Sequence, residues 1–222
     1  MDLIFMLTRD DKTVPDCMDV LDSIASLGVR HIGFKDVGVP KETMHALADG
    51  IREAGATSYF EVVSETPEDC LSSAQTAVDL GIDRLLGGSD ITAINQVIDG
   101  TAIAYYPFAG FPTGHPTDLG GTPDDIAVHC RDFMAKGAAG VDLLAYRATD
   151  ADPVDLVRAA RDALNPGELI VAGSIRGPEQ TRLMAELGVD GMTIGTALFD
   201  ESFAPGKKGI VAQLKAALDA IP

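Results

Sequence analysis

Short apolar runs alternate with amphipathic stretches along the whole chain, and a Leu-Gly pair repeatedly separates a stretch from the next run. Leu27-Gly28-Val29, Leu80-Gly81-Ile82 and Leu187-Gly188-Val189 share this form, and Gly55 and Gly137 stand at similar junctions. A helix commonly stops on a left-handed residue, a conformation that costs glycine little. The pattern therefore reads as helix, stop, strand, repeated. Eight strands are expected, over 3–8, 30–36, 57–64, 83–88, 101–106, 140–146, 168–173 and 190–195. Most are nearly continuous apolar runs, such as Leu3 to Leu7 and Leu169 to Ala172. Strands buried on both faces of a parallel sheet look like this.

The helices between them carry their own start signals. Thr66-Pro67-Glu68-Asp69 and Thr122-Pro123-Asp124-Asp125 each set a Thr N-cap before Pro, with acids in the first turn. Met18, Leu21, Ile24 and Ala25, then Met44, Leu47 and Ile51, recur at helical spacing. Eight strand–helix units in 222 residues fit one closed (β/α)8 TIM barrel spanning 1–222. An open doubly wound sheet would carry fewer strands and, for a dinucleotide, a G-x-G-x-x-G after the first; none follows here. Pro107 to Gly121 is the longest irregular stretch and a candidate lid or substrate loop.

The formal charge of −17, from 34 acidic and 17 basic residues, argues against nucleic acid or an anionic membrane as partner. An anionic ligand must then be captured by local fields. Such acidity fits solubility or a salty cytoplasm. Cys17, Cys70 and Cys130 are scattered, without a Cys-x-x-Cys pair, so neither a disulfide framework nor a zinc knuckle is indicated. The first residues lack a basic region and a long apolar run, and no run approaches the roughly 20 apolar residues of a membrane helix. A cytoplasmic protein is expected, with a homo-oligomer left open.

The most specific signal comes near the end. Strand seven closes on Ala172-Gly173-Ser174-Ile175-Arg176 and strand eight on Ile194-Gly195-Thr196-Ala197. Small residues at both ends let the backbone approach a ligand closely, and the loops after strands seven and eight of such barrels frequently form a phosphate site. These paired motifs resemble the phosphate-gripping loops of the ribulose-phosphate-binding barrel superfamily, which includes phosphosugar isomerases, epimerases, lyases and synthases. The resemblance implies a phosphate held by Gly173, Ser174, Gly195 and Thr196, with Arg176 as an outer charge. FMN-binding barrels use similar strand ends, so FMN is the alternative ligand; otherwise no cofactor is expected. The His and Asp metal ligands of the pentose-phosphate epimerases are not reproduced, and no metal is expected.

Catalytic groups in this architecture sit at the C-terminal ends of strands. Those ends offer Thr8, Arg9 and Asp10; Lys35 and Asp36; Glu61, Ser64 and Glu65; Ser89 and Asp90; Tyr105 and Tyr106; Tyr146 and Arg147. Lys35 and Glu61 stand out as charges inside apolar strands, where burial is costly without a partner. A partly desolvated lysine serves as a base or a Schiff-base nucleophile, with Glu61 as its proton partner. A structural ion pair with Glu61 or Asp36 is the plainer expectation. A lysine at the end of strand two also resembles that of the furan-phosphate synthases, where it forms a Schiff base. Arg147 suits a bidentate grip on a carboxylate or second phosphate. His115, in the irregular stretch, suits acid–base work on a closing loop. The chain is thus expected to be an isomerase, an epimerase or an aldolase-type lyase. Its substrate would be a small phosphorylated carbonyl compound, processed by proton abstraction or reversible C–C cleavage. The alternatives are an FMN-binding barrel and a non-catalytic phosphometabolite binder.

Overall fold

The computed structural model describes residues 1–64, 66–88 and 90–222; the expectations placed on Glu65 and Ser89 lie outside the described residues. Eight parallel strands form the core: β1 (Asp2–Met6), β2 (His31–Lys35), β3 (Thr57–Val62), β4 (Arg84–Gly87), β5 (Ala104–Tyr106), β6 (Gly140–Leu143), β7 (Glu168–Val171) and β8 (Gly191–Ile194). They pair in the order β6-β7-β8-β1-β2-β3-β4-β5. The circle closes between β5 and β6. There the Ala139 amide donates to Tyr105 O at 3.0 Å, Asp142 N donates to Pro107 O at 3.0 Å, and Ala109 N donates to Asp142 O at 3.1 Å. The fold is a (β/α)8 barrel.

Helices α1 (Cys17–Ile24), α2 (Lys41–Glu53), α3 (Pro67–Leu80), α4 (Ile91–Ile98), α5 (Pro123–Ala135), α6 (Pro153–Ala163), α7 (Pro178–Glu186), α8 (Thr196–Phe199) and α9 (Ile210–Asp219) surround the strands. Both expected Thr caps form. Thr66 Oγ1 accepts from Asp69 N at 3.1 Å, and Thr122 and Asp125 make a reciprocal capping box. No helix among the described residues is long and apolar enough to cross a membrane.

Side-chain alternation divides the buried residues into two sets. Phe34, Phe60, Val62, Val141 and Leu143 face the helices. Ile4, Met6, Tyr59, Leu86, Tyr106 and Ile170 fill the barrel interior as an apolar plug. Below it, the Arg84 guanidinium lies 5.6 and 5.5 Å from the rings of Tyr59 and Tyr106, and it bonds the Tyr106 hydroxyl at 2.7 Å and Glu168. Tyr106 therefore points away from the mouth, and Tyr105 packs outward among the helices. β5 starts at Ala104 where 101 was expected and ends at Tyr106 as expected, but the chain runs on along the barrel, with Pro107 and Ala109 pairing to Asp142, so both tyrosines stand within the barrel wall. Likewise β6 ends at Leu143, and Ala145–Arg147 forms a 3-10 turn, where a strand to 146 was expected.

Gly140 opens β6 so close to β7 that an added Cβ would lie 1.9 Å from Glu168 O. Backbone cannot yield as a side chain does. Gly140→Ala is expected to lower unfolding stability by about 1–3 kcal/mol or more, the range for overpacked cores, in urea titration. A wild-type midpoint would show that the two strands have room to part.

Candidate functional site

A cavity of about 570 Å³ opens at the C-terminal mouth of the barrel, with Lys35, Glu61, Arg147, Ser174, Arg176 and Thr196 among its lining. Its floor is built by alternation: Phe34 and Phe60 face the helices, so Lys35 and Glu61 face inward, side by side in the β2–β3 register. Both are buried. Lys35 Nζ donates to Glu61 Oε1 at 2.9 Å and to Asp11 Oδ1 at 2.5 Å.

Asp11 arrives from a small hairpin after β1, Thr8–Arg9 against Lys12–Thr13. Its two central residues, Asp10 (φ 50°) and Asp11 (φ 66°), are left-handed, as the tightest hairpin turns require and as aspartate tolerates. Thr13 fastens this hairpin to β2: its Oγ1 donates to Lys35 O at 3.0 Å and accepts from Lys35 N at 2.9 Å. Arg147 then grips Asp11 with two bonds, Nη1 to Oδ2 at 2.9 Å and Nη2 to Oδ1 at 3.0 Å. Thr117 N donates to Asp11 Oδ2 at 3.0 Å, and Thr117 O accepts from Arg147 Nη1 at 3.1 Å. Asp11 thus joins β2, the turn after β6 and the loop after β5.

Burial alone would raise the Asp11 pKa, but Lys35 and Arg147 outweigh it and hold the carboxyl well below the usual carboxylate range. Burial likewise disfavours the Lys35 charge, yet Glu61 and Asp11 more than compensate, and the group is held as an ammonium. A third carboxyl, Asp142 on β6, is fully buried, and neither oxygen has a hydrogen-bond partner among the described residues. Burial first, and the negative charge of Glu61 second, push its pKa well above the ordinary range; Lys35 and Arg147 oppose this.

The opposite wall comes from the ends of β7 and β8. Gly173 (φ 76°) and Ser174 (φ 56°) turn the chain, and Gln180 fixes that turn by accepting from Arg176 N at 2.7 Å. A Cβ on Gly173 would lie 2.6 Å from Arg147 Nε, so glycine there admits the guanidinium stem. Gly195 precedes the short helix α8, whose leading amides lack helical acceptors. A Cβ on Gly195 would meet Thr8 O and Oγ1 at 2.6 Å, and Thr196 Oγ1 accepts from Asp10 N at 3.1 Å. Gly173, Ser174, Arg176, Gly195 and Thr196 therefore share one cavity, and both glycines are also required by neighbouring protein groups.

The stretch 107–121 contains a second hairpin, Phe111–Thr113 against Asp118–Gly120. His115 is exposed in its turn, and the cavity is lined by its neighbours Pro116 and Asp118 instead. Asp36 does not pair with Lys35; it accepts from Val63 N, Ser64 Oγ and Ser73 Oγ at 3.1, 2.6 and 2.8 Å. Asp11 and Asp142 were not anticipated from sequence. Asp142 was detectable on the grounds that marked Glu61, as an acid inside the apolar run Gly140-Val141-Asp142-Leu143-Leu144.

No protein-family model matches the sequence, and no curated protein matches it. Solved structures match in fold. Orotidine 5'-phosphate decarboxylase from Pyrococcus horikoshii OT3 superposes with a TM-score of 0.68 at 13% identity, covering 99% of this chain and 98% of that one. A protein assigned as a deoxyribose-phosphate aldolase from Coccidioides immitis gives 0.67 at 12% identity, over 89% and 81%. A mandelate oxidase variant with an FMN adduct gives 0.64 at 14% identity, over 98% and 73%. At such identities the likeness establishes the (β/α)8 barrel, the architecture that the strand-end motifs implied.

Proposed function

We propose that this chain is an enzyme that abstracts a proton next to the carbonyl of a small phosphorylated compound, as isomerases, epimerases and some lyases do. The observation that carries this reading is a single cavity with an ion-paired Lys35–Glu61 floor and a wall of strand-end Gly-Ser and Gly-Thr turns. Glu61 is the base. Lys35, held as an ammonium by Glu61 and Asp11, stabilises negative charge developing on the substrate oxygen. A charged amine is a poor nucleophile, which favours proton abstraction over Schiff-base cleavage. Gly173, Ser174, Gly195 and Thr196 hold the phosphate, Arg176 adds charge at the entrance, and the phosphate's binding energy orients the reacting end. Two of the fold neighbours have phosphorylated substrates in their names, in keeping with this reading.

The test is Ser174→Asp. Aspartate accepts the left-handed backbone of this position and sets a negative charge in the wall, which spares the collision with Thr8 that a change at Gly195 brings. Like-charge contact costs several kcal/mol, so affinity for inorganic phosphate and for pentose phosphates, measured by calorimetry, falls roughly a hundredfold or more. Unchanged affinity in a folded variant would place the phosphate elsewhere.

A further inference from the structure

We infer that the cavity admits substrates with a single anionic group, and that Asp11 sets this limit by filling the fork of Arg147 with a carboxylate of the protein's own. This rests on the phosphate-binding reading above and narrows it. The substrates are neutral carbonyl compounds bearing one phosphate, and bisphosphates and phosphorylated acids are turned away.

Among the described residues, the cations lining the cavity are Lys35, Arg147 and Arg176. The Nη1–Nη2 end of a guanidinium grips a carboxylate through two parallel bonds. In Arg147 that end already holds both oxygens of Asp11, at 2.9 and 3.0 Å. Nη1 also donates to Thr117 O at 3.1 Å, so both of its hydrogens are used. The stem and Nε lie against Gly173, on the wall of the strand-end turns, so the free edge of Arg147 offers no second anion site across the cavity. Lys35 is bound by Asp11 and Glu61. Two positive charges thus meet two negative ones through the ion pairs they share. Arg176, exposed beside the strand-end turns, is left for the phosphate. The exposed carboxylates of Asp10, Asp118 and Asp200 line the same cavity. A second anion would find no unmatched cation there, and like-charge contact is penalised. A carbonyl oxygen adds no charge beside Lys35 until the proton is taken, whereas a carboxylate in its place would confront Glu61.

Calorimetry with glycerol 3-phosphate and 3-phosphoglycerate tests the limit. The two share a phosphate and a carbon chain and differ by a terminal hydroxymethyl against a carboxylate. Neither has an aldehyde or a ketone, so no turnover intervenes. Titration in about 1 M salt, where fields beyond about 3 Å are screened, keeps the formal charge of −17 from deciding the result. Wild type is expected to bind glycerol 3-phosphate roughly tenfold or more tighter than 3-phosphoglycerate. Asp11→Asn removes the carboxylate charge at nearly constant shape and opens the fork, so the preference shrinks or reverses. Equal or tighter binding of 3-phosphoglycerate by wild type overturns the limit, and so does a preference that Asp11→Asn leaves unchanged. Failure of both ligands to bind is a different result, which removes the phosphate site itself and this limit with it. Should Asp11→Asn not fold, Asp11→Ser removes the same charge and is read identically, and the wild-type comparison alone can still refute the limit.

Discussion

Replacing Asp11 by alanine is expected to lower the free energy of unfolding by roughly 3–5 kcal/mol, the range for removing one partner of a buried ion pair. Its side chain is almost wholly buried and serves two cations and one amide. Without it, Lys35 keeps only Glu61, and the Arg147 guanidinium loses both of its carboxylate bonds. The loss is also mechanical. The hairpin of residues 111–120 stands on this cluster through Thr117, and it carries Phe111, which is 51% exposed. Chymotrypsin is therefore expected to cut Asp11→Ala at Phe111 faster than wild type. Acid supplies an independent check. The folded protein holds Asp11 ionised more strongly than the unfolded chain does, so its stabilisation is complete above the ordinary aspartate range and fades as the pH falls through it. Asp11→Asn removes that part of the acid sensitivity. A loss below about 1 kcal/mol, as solvated surface pairs give, would mean that water reaches the cluster.

The barrel was legible because its strands are buried on both faces and its helices carry local punctuation, so neither signal depends on distant residues. The register of Lys35 beside Glu61 follows from the same logic. Each is the charge near the end of an apolar strand, and consecutive parallel strands place them side by side. Strand ends were less legible. β5 begins at Ala104 where 101 was expected and β6 ends at Leu143 short of 146, and the barrel closes between them through Pro107, Ala109 and Asp142, a junction that no local pattern announces. Asp11 was missed because its role is nonlocal. The turn Arg9-Asp10-Asp11-Lys12 reads as an ordinary loop, and its partners Lys35 and Arg147 lie 24 and 136 positions away. The glycines of the strand-end motifs mislead in a milder way. Gly173 makes room for Arg147 and Gly195 for Thr8, so packing within the rim and access for a ligand select the same residue type.

If the proposed function holds, Lys35→Met is expected to lower kcat on a phosphorylated carbonyl compound by roughly 10²–10³, typical of losing one group that stabilises an oxyanion. Hydrogen–deuterium exchange at carbon, followed by NMR over a panel of triose and pentose phosphates in heavy water, reports the proton abstraction itself. Phosphate affinity should stay near wild type, because the strand-end turns are untouched. Borohydride added during turnover should trap no adduct, since Lys35 is held as an ammonium by Glu61 and Asp11. An adduct on Lys35 would instead establish Schiff-base chemistry. Methionine keeps the apolar stem and removes the charge, so it leaves Glu61 buried without its partner, while Asp11 retains Arg147. Destabilisation of the size set by a broken buried pair is therefore expected, and it obscures the kinetic result unless it is separated. The double variant Lys35→Met, Glu61→Gln makes that separation, because it removes both charges at nearly constant shape. Recovered stability without recovered exchange would assign Lys35 and Glu61 to the chemistry as well as to the fold. Full activity in a folded Lys35→Met protein would leave the ion pair a structural one and end the proposed mechanism.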